Sequence, residues 1–281
     1  MSKVRVVVDS TCDIPQSTVS ELGITVVPVV VNFGTETYTD FQLTRDEFWQ
    51  KAKEVCHPRS SQPSVGAFVQ SFAPLVEAGH EVLCLTVTSK LSGTYNSATT
   101  AAQDFEGRVT VADSLSLSYA LGAQVLAAHE AAEAGLSVPE IIERMEDVRS
   151  RSNLFLLFDT IDYLEKGGRA SRVMPAVKRV VGFLNIKAML SLDDGELKLL
   201  GAVRSYQQGL ARLRRMIGDL GPLETLAVIH VRRPDVAREL GKAISSAIGY
   251  PVEDLVVAEI GPGLSCHGGP GVIGVLGVTK S

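Results

Sequence analysis

The stretch EVLCLTVTSKLSGTYNSA, residues 81–98, decides the fold. Its first half is a nearly unbroken apolar run with β-branched residues. Such a run, without polar alternation, reads as a strand covered on both faces, as in a parallel sheet. Its second half turns at once into small hydroxyl residues around Gly93 and then into a helical run. In open α/β sheets, ligands bind beyond the carboxyl ends of strands. The first turn of a helix also has unsatisfied N–H groups and a partial positive charge, so a carboxylate or phosphate fits there. Ser92 is placed to be the N-cap, with Gly93 and Thr94 opening the helix. Capping its own helix would account for Ser92 as well as an anion would.

Working outward, the same alternation recurs. Residues 4–10, 24–33 and 108–114 are further apolar, β-branched runs that read as strands. Thr44 and Glu47 have the spacing of a capping box, and Leu43 with Phe48 that of a hydrophobic staple. Ser137 and Glu140 form a second box, followed by Ile141, Met145 and Val148 on one face. Residues 119–133 are alanine-rich and helical, and His129 reads as an ordinary residue of that helix. Strands alternating with helices predict an α/β layered domain.

The second half is patterned differently. Residues 153–171, NLFLLFDTIDYLEKGGRAS, read as a strand, a short helix and a glycine loop. Residues 187–205 predict a hairpin turned at Asp194-Gly195. A helix follows, with Leu210, Leu213 and Ile217 on one stripe and Gly221 as its stop. The expected fold is α/β with two α/β domains: residues 1–152 built on a mostly parallel layered sheet, and residues 153–281 on a mixed sheet. The boundary is expected near 150–153.

Composition narrows the function. The chain has 281 residues, 45% hydrophobic and 21% charged, which is ordinary for a globular protein and enough for a sizeable core. A net charge of −5, with no Lys/Arg block, argues against nucleic acid as a partner. The N-terminus lacks an apolar signal-peptide core, and the apolar runs fall short of the roughly 18–20 residues of a membrane span, so a cytoplasmic location is expected. The cysteines Cys12, Cys56, Cys84 and Cys266 make no C-x-x-C pair. Cys266 beside His267 lacks further clustered ligands, so no metal is expected.

Three more stretches could carry chemistry. RSSQPSVGAF (59–68) sets Ser60 and Ser61 in a loop ahead of Ser64, the expected N-cap of the next helix. DYLEKGGRAS (162–171) places Arg169, a fork suited to carboxylate or phosphate, after two glycines that allow close backbone approach. It is not a Walker loop, since G-x-x-x-x-G-K-[ST] is missing. IGPGLSCHGGPGVIGV (260–275) surrounds His267 with glycine and proline and reads as a rigid loop that could fix an imidazole beside a ligand, or as a plain turn-rich connector.

Taken in order, VVVDSTCDIP (6–15), SSQPS (60–64), TSKLSGTYNSA (88–98), DTIDYLEKGGRAS (159–171) and CHGGPGVIGV (266–275) resemble the DegV family over essentially the full length. Characterised members of that family are bacterial fatty-acid-binding proteins. The resemblance implies two α/β domains with a long apolar ligand between them. It implies that Ser60 and Ser92 hold the acyl carboxylate, with Ser61 and Gly93 beside them in the ligand site. It also implies that His267 lies near the same end and that Arg169 meets the phosphate of an acyl phosphate. Ser60 stands where the family usually has threonine, so the hydroxyl is kept without threonine's methyl group; Ala67 replaces a frequent acidic residue. The implied role is a carrier that presents a long-chain fatty acid to a separate fatty acid kinase, with transient membrane contact. It would need no cofactor and would not be an enzyme itself.

Two other readings stay open on the residues alone. Serines, His267 and aspartates such as Asp9 and Asp113 could serve an acyl hydrolase, although the G-x-S-x-G elbow is missing. A binding or sensing protein for another small carboxylate or phosphorylated ligand would use the same anion-holding features.

Overall fold

The computed structural model describes residues 3–169, 171–181 and 186–281; Ala170 of the glycine-loop motif lies outside them. The first half contains β1 (Val4–Asp9), β2 (Thr25–Val27), β3 (Val30–Phe33), β4 (Glu36–Thr39), β5 (Arg59–Ser61), β6 (Glu81–Thr86) and β7 (Val109–Asp113). Strands β2-β1-β6-β7 form a sheet in that order, each pair parallel. Both faces are covered, which is why β6 is apolar without alternation. Val82 and Cys84 pack with Phe68, Phe72, Ala98 and Ala101 of the helices Val65–Glu77 and Thr94–Ala102. Leu83 and Leu85 pack oppositely, with Leu121, Val125, Ile141 and Met145 of the helices Ser118–Glu133 and Val138–Arg151.

The run 24–33, expected as one strand, is two. β2 belongs to the parallel sheet, and β3 to a separate antiparallel sheet in the order β4-β3-β5. Pro28 stands at the break. Proline has no N–H to donate to a ladder, so the pairing cannot run through it. The N–H of Val29 donates instead to Ser10 Oγ at 3.0 Å. A capping box does form at Thr44 and Glu47, with Leu43 and Phe48 buried beside it.

The second half contains β8 (Ser152–Leu157), β9 (Lys187–Asp193), β10 (Glu196–Val203), β11 (Leu223–His230), β12 (Val256–Glu259) and β13 (Ile273–Thr279). They form a mixed sheet, β10-β9-β8-β13-β11-β12, parallel at β11–β12 and antiparallel elsewhere. The expected hairpin is β9–β10. Asp194 and Gly195 both take positive φ, 46° and 76°, as a two-residue turn of that hand requires. Leu213 and Ile217 of helix Tyr206–Gly218 join Ala237, Leu240 and Ile244 of helix Pro234–Ile248 in one core cluster with this sheet.

The chain divides into two compact units. One runs to Ser150 and includes Gly261–Gly263; the other comprises Arg151–Ile260 and Leu264–Ser281. The return of three residues to the first unit was not among the expectations from sequence.

The carboxyl ends of the parallel strands are tied together by Asp9, which is fully buried. Its Oδ1 accepts from Thr11 N at 3.0 Å and Thr11 Oγ1 at 2.6 Å, and its Oδ2 accepts from Val87 N at 2.7 Å. Replacing it by alanine strands two buried backbone donors, each costing about 1–3 kcal/mol. Asp9→Ala should therefore lose about 2–4 kcal/mol of stability in urea titrations. A loss within the ordinary range of about ±0.5 kcal/mol for surface changes would contradict this role.

Candidate functional site

In the first unit the decisive residues follow β6. Asp9 holds Val87, and Asp113 at the end of neighbouring β7 accepts from Ser89 N through both oxygens at 3.2 Å. The chain then turns, with the N–H groups of Leu91 and Ser92 both donating to Thr88 O at 3.2 Å. Gly93, and not Ser92, is the N-cap of the helix Thr94–Ala102. Ser92 sits one residue earlier and still accepts from Thr94 N at 3.3 Å, while its Oγ lies 2.8 Å from Thr94 Oγ1. Either hydroxyl can donate in this pair; in the arrangement where Thr94 donates, the Ser92 proton points at a further acceptor.

Ser60 and Ser61 lie in β5 rather than in the expected loop, in register with Val31 and Val30. Ser61 Oγ accepts from Asn32 Nδ2 at 3.3 Å. Ser64 is the N-cap of helix Val65–Glu77 as expected, accepting from Ala67 N at 3.1 Å. The two hydroxyl-bearing segments meet through Gln62: a Cβ on Gly93 would stand 2.7 Å from Gln62 Nε2. The Gln62 amide thus lies against Gly93, and Ser61-Gln62 is brought beside Ser92-Gly93. Gln62 had no role in the sequence reading, although it stands inside the SSQPS motif.

In the second unit, helix Asp162–Gly167 ends at Gly168, whose φ of 70° terminates it, and Arg169 follows, exposed. The run PGLSCHG, expected within a rigid loop, is a helix, Pro262–Gly268. Pro262 fits the first helical position, where its missing N–H costs nothing. His267 lies in the last turn of this helix, half-buried. Its ring rests on Gly167: a Cβ there would come 2.4 Å from His267 Nδ1. Gly167 and His267 are therefore neighbours, and Gly167 leaves room for the imidazole.

The first unit also buries a cluster the sequence reading did not single out. Asp13 Oδ1 accepts from Gly261 N at 2.8 Å, and its Oδ2 from Ser118 Oγ at 2.5 Å. Asp40 Oδ1 accepts from Gly263 N at 2.9 Å. Burial pushes Asp13 up to about 7, against hydrogen bonds from Ser118 and Gly261 and the charge of Arg45, with Asp40 adding to the rise. Burial raises Asp40 as well, opposed by Ser10, Gly263 and Arg45. Burial also raises Asp9, opposed by its bonds from Thr11 and Val87. No short-range signal marks Asp40: the main-chain N–H its carboxylate accepts, that of Gly263, is 223 residues away.

Comparison with known proteins adds an independent line. The family model described as uncharacterised protein, DegV family, matches residues 3–280. A DegV domain-containing protein of Deinococcus radiodurans is 35% identical over 278 residues, covering 97% of each chain. A solved DegV family protein of Thermus thermophilus, described by its fatty acid binding, aligns with a TM-score of 0.89 at 30% identity, covering 99% of this chain and 100% of that one. The TM841 protein of Thermotoga maritima, whose structure is described as revealing a fatty acid binding function, aligns with a TM-score of 0.85 at 27% identity, with the same coverage. Among the described residues no helix is long and apolar enough to cross a membrane.

The raised carboxyl of Asp13 has a consequence for stability. The folded state holds this proton more tightly than the unfolded chain does. Its contribution is full below the unfolded value of about 4 and is lost as pH rises towards about 7. Asparagine keeps both hydrogen bonds, tolerates the left-handed φ of 49° at this position, and removes the buried charge. Between pH 5 and 8, urea midpoints of the parent should fall and those of Asp13→Asn should fall less. Parallel profiles would show that Asp13 does not titrate in this window.

Proposed function

The chain belongs to the DegV family, and on that premise we propose that it binds a long-chain fatty acid and presents its carboxylate to a separate fatty acid kinase. The observation that carries the reading is full-length similarity, at 27% and 30% identity, to two chains described as fatty-acid-binding. In this reading Ser92 donates its hydroxyl proton to the carboxylate, and Ser60, Ser61 and the Gly93 backbone complete the anion-holding surface. The meeting of Gln62 with Gly93 supports it, because it brings the two hydroxyl-bearing segments together. Arg169 and His267 serve the charged head group, above all in its phosphorylated form. The acyl tail supplies most of the affinity, at roughly 0.8 kcal/mol per buried CH₂. The protein works in the cytoplasm, exchanges lipid through brief membrane contact, and leaves ATP chemistry to the kinase.

An acyl hydrolase would need a carboxylate to orient a histidine. Asp9 and Asp113, considered for that role, spend their oxygens on the N–H groups of Thr11, Val87, Ser89 and Leu115. That commitment favours a carrier over a catalyst.

Mass spectrometry of lipid extracted from the denatured protein tests the binding itself. About one fatty acid per chain is expected. A protein that arrives empty and takes up none of a panel of fatty acids would overturn the reading, in favour of a smaller carboxylate or phosphorylated ligand. Ser92→Ala should weaken oleate binding about tenfold, the value of one hydrogen bond to a charged group. An unchanged dissociation constant removes Ser92 from the site. Kinase-dependent acyl-phosphate formation should fail in Arg169→Ala and in His267→Ala, and undiminished turnover in both would reject their roles.

A further inference from the structure

The helix Thr94–Ala102 turns one stripe inward: Thr94, Ala98 and Ala101 are buried, at the i, i+4, i+7 spacing of a single helix face. The two alanines pack with Cys84 of β6 in an apolar cluster. Thr94 is just as fully buried, yet it carries a hydroxyl. A hydroxyl proton buried without an acceptor is costly, so this one must find a partner. Among the described residues the Thr94 hydroxyl has one, Ser92 Oγ at 2.8 Å. Ser92 is half-buried and so has outlets that Thr94 lacks. That asymmetry sets the direction of the bond. Thr94 donates its O–H, as well as its N–H at 3.3 Å, and Ser92 Oγ accepts both.

A serine hydroxyl has two lone pairs and one proton. With both lone pairs occupied from Thr94, Ser92 can offer an incoming group only its proton. We propose that Thr94 is a positioning residue for Ser92: it makes Ser92 a donor to head groups that accept, a carboxylate above all, and a poor partner for head groups that must donate. Thr94 lies beneath the surface and acts only through Ser92 in this scheme. All the groups involved belong to the first unit, within three consecutive residues. The proposal deepens the fatty-acid reading and rests on it for the identity of the ligand.

The test uses the intact chain. It sets Thr94→Val, which keeps the β-branched shape and removes the hydroxyl, beside Thr94→Ser, which keeps the hydroxyl. The first readout needs no ligand. In crystals of the lipid-free protein, Ser92 should hold one χ1 rotamer in the parent and in Thr94→Ser, and spread over several in Thr94→Val. The second readout is the ratio of affinities for oleate and oleyl alcohol. The parent should prefer oleate. Thr94→Val should narrow that preference about threefold, the worth of one modest hydrogen bond, and Thr94→Ser should restore it. In a Ser92→Ala background Thr94→Val should change the ratio no further, because both changes remove one interaction. A single Ser92 rotamer in Thr94→Val, a parent that does not prefer the acid, equal losses for acid and alcohol, or the same narrowing without the Ser92 hydroxyl would overturn the proposal. Should Thr94→Val fail to fold, Thr94→Ala removes the same hydroxyl with a residue that favours the helix, and the same outcomes apply. If the parent binds neither oleate nor the alcohol, the fatty-acid reading falls and the Ser92 rotamer alone judges Thr94.

Discussion

A carboxylate taken out of water needs hydrogen-bond donors to replace those it loses, and the first unit meets this need three times with its own backbone. Asp9, Asp13 and Asp40 are all buried, and each accepts from at least one main-chain N–H. In all three, burial outweighs the hydrogen bonds and raises the carboxyl above its usual range. What the cost secures is geometry. Asp9 joins β1 to the segment after β6, and that segment leads through two turns to Ser92. Asp13 and Asp40 hold the segment that leads into the helix of His267. The segment that carries Ser92 thus hangs from one buried acid at a strand end, and Gly261–Gly263 from two more.

Glycine does the complementary work. Where a carboxylate draws backbone in, or a side chain crosses a turn, a Cβ would intrude. Gly93 receives the Gln62 amide, Gly167 the His267 ring, and Gly263 the Val29 side chain. Each stands within or beside a motif of small residues whose partners do not show in one dimension. In three dimensions these are contact surfaces for particular partners, which is why small-residue motifs and functional side chains coincide along this chain.

This explains what could be read from the sequence. Signals that act over a few residues were legible: the capping box at Thr44 and Glu47, the turn at Asp194-Gly195, the doubly covered β6, and the N-cap at Ser64. The two α/β sheets followed from them, and the ordered motifs pointed to the family. What was misread depended on partners far along the chain. PGLSCHG looked like a loop because its cap is Asp40. Ser60 and Ser61 looked like loop because β5 has only three residues and exists through pairing with β3. The Pro28 break was visible in the sequence but outvoted by the apolar run around it. Capping was expected at Ser92, one residue too early, since a serine before glycine fits a cap by propensity and the backbone chose Gly93.

The acid-rich character of the chain bears on how it would handle an acid. The chain carries a net charge of −5, and the unit that carries Ser60 and Ser92 buries three carboxylates. Its own acids are already satisfied by N–H groups, so their demand on a ligand's surroundings is small at short range. On the fatty-acid reading the donors that this unit offers the head group are neutral, a hydroxyl and backbone amides, each worth about 0.5–1.5 kcal/mol net and at most about 3 against a charge. A long tail outweighs that several times over at roughly 0.8 kcal/mol per methylene. Retention by the tail and light restraint of the carboxylate is the division a carrier requires. On that reading the lipid would stay bound through its length, while the oxygen atoms that must react elsewhere would be held by contacts weak enough to exchange.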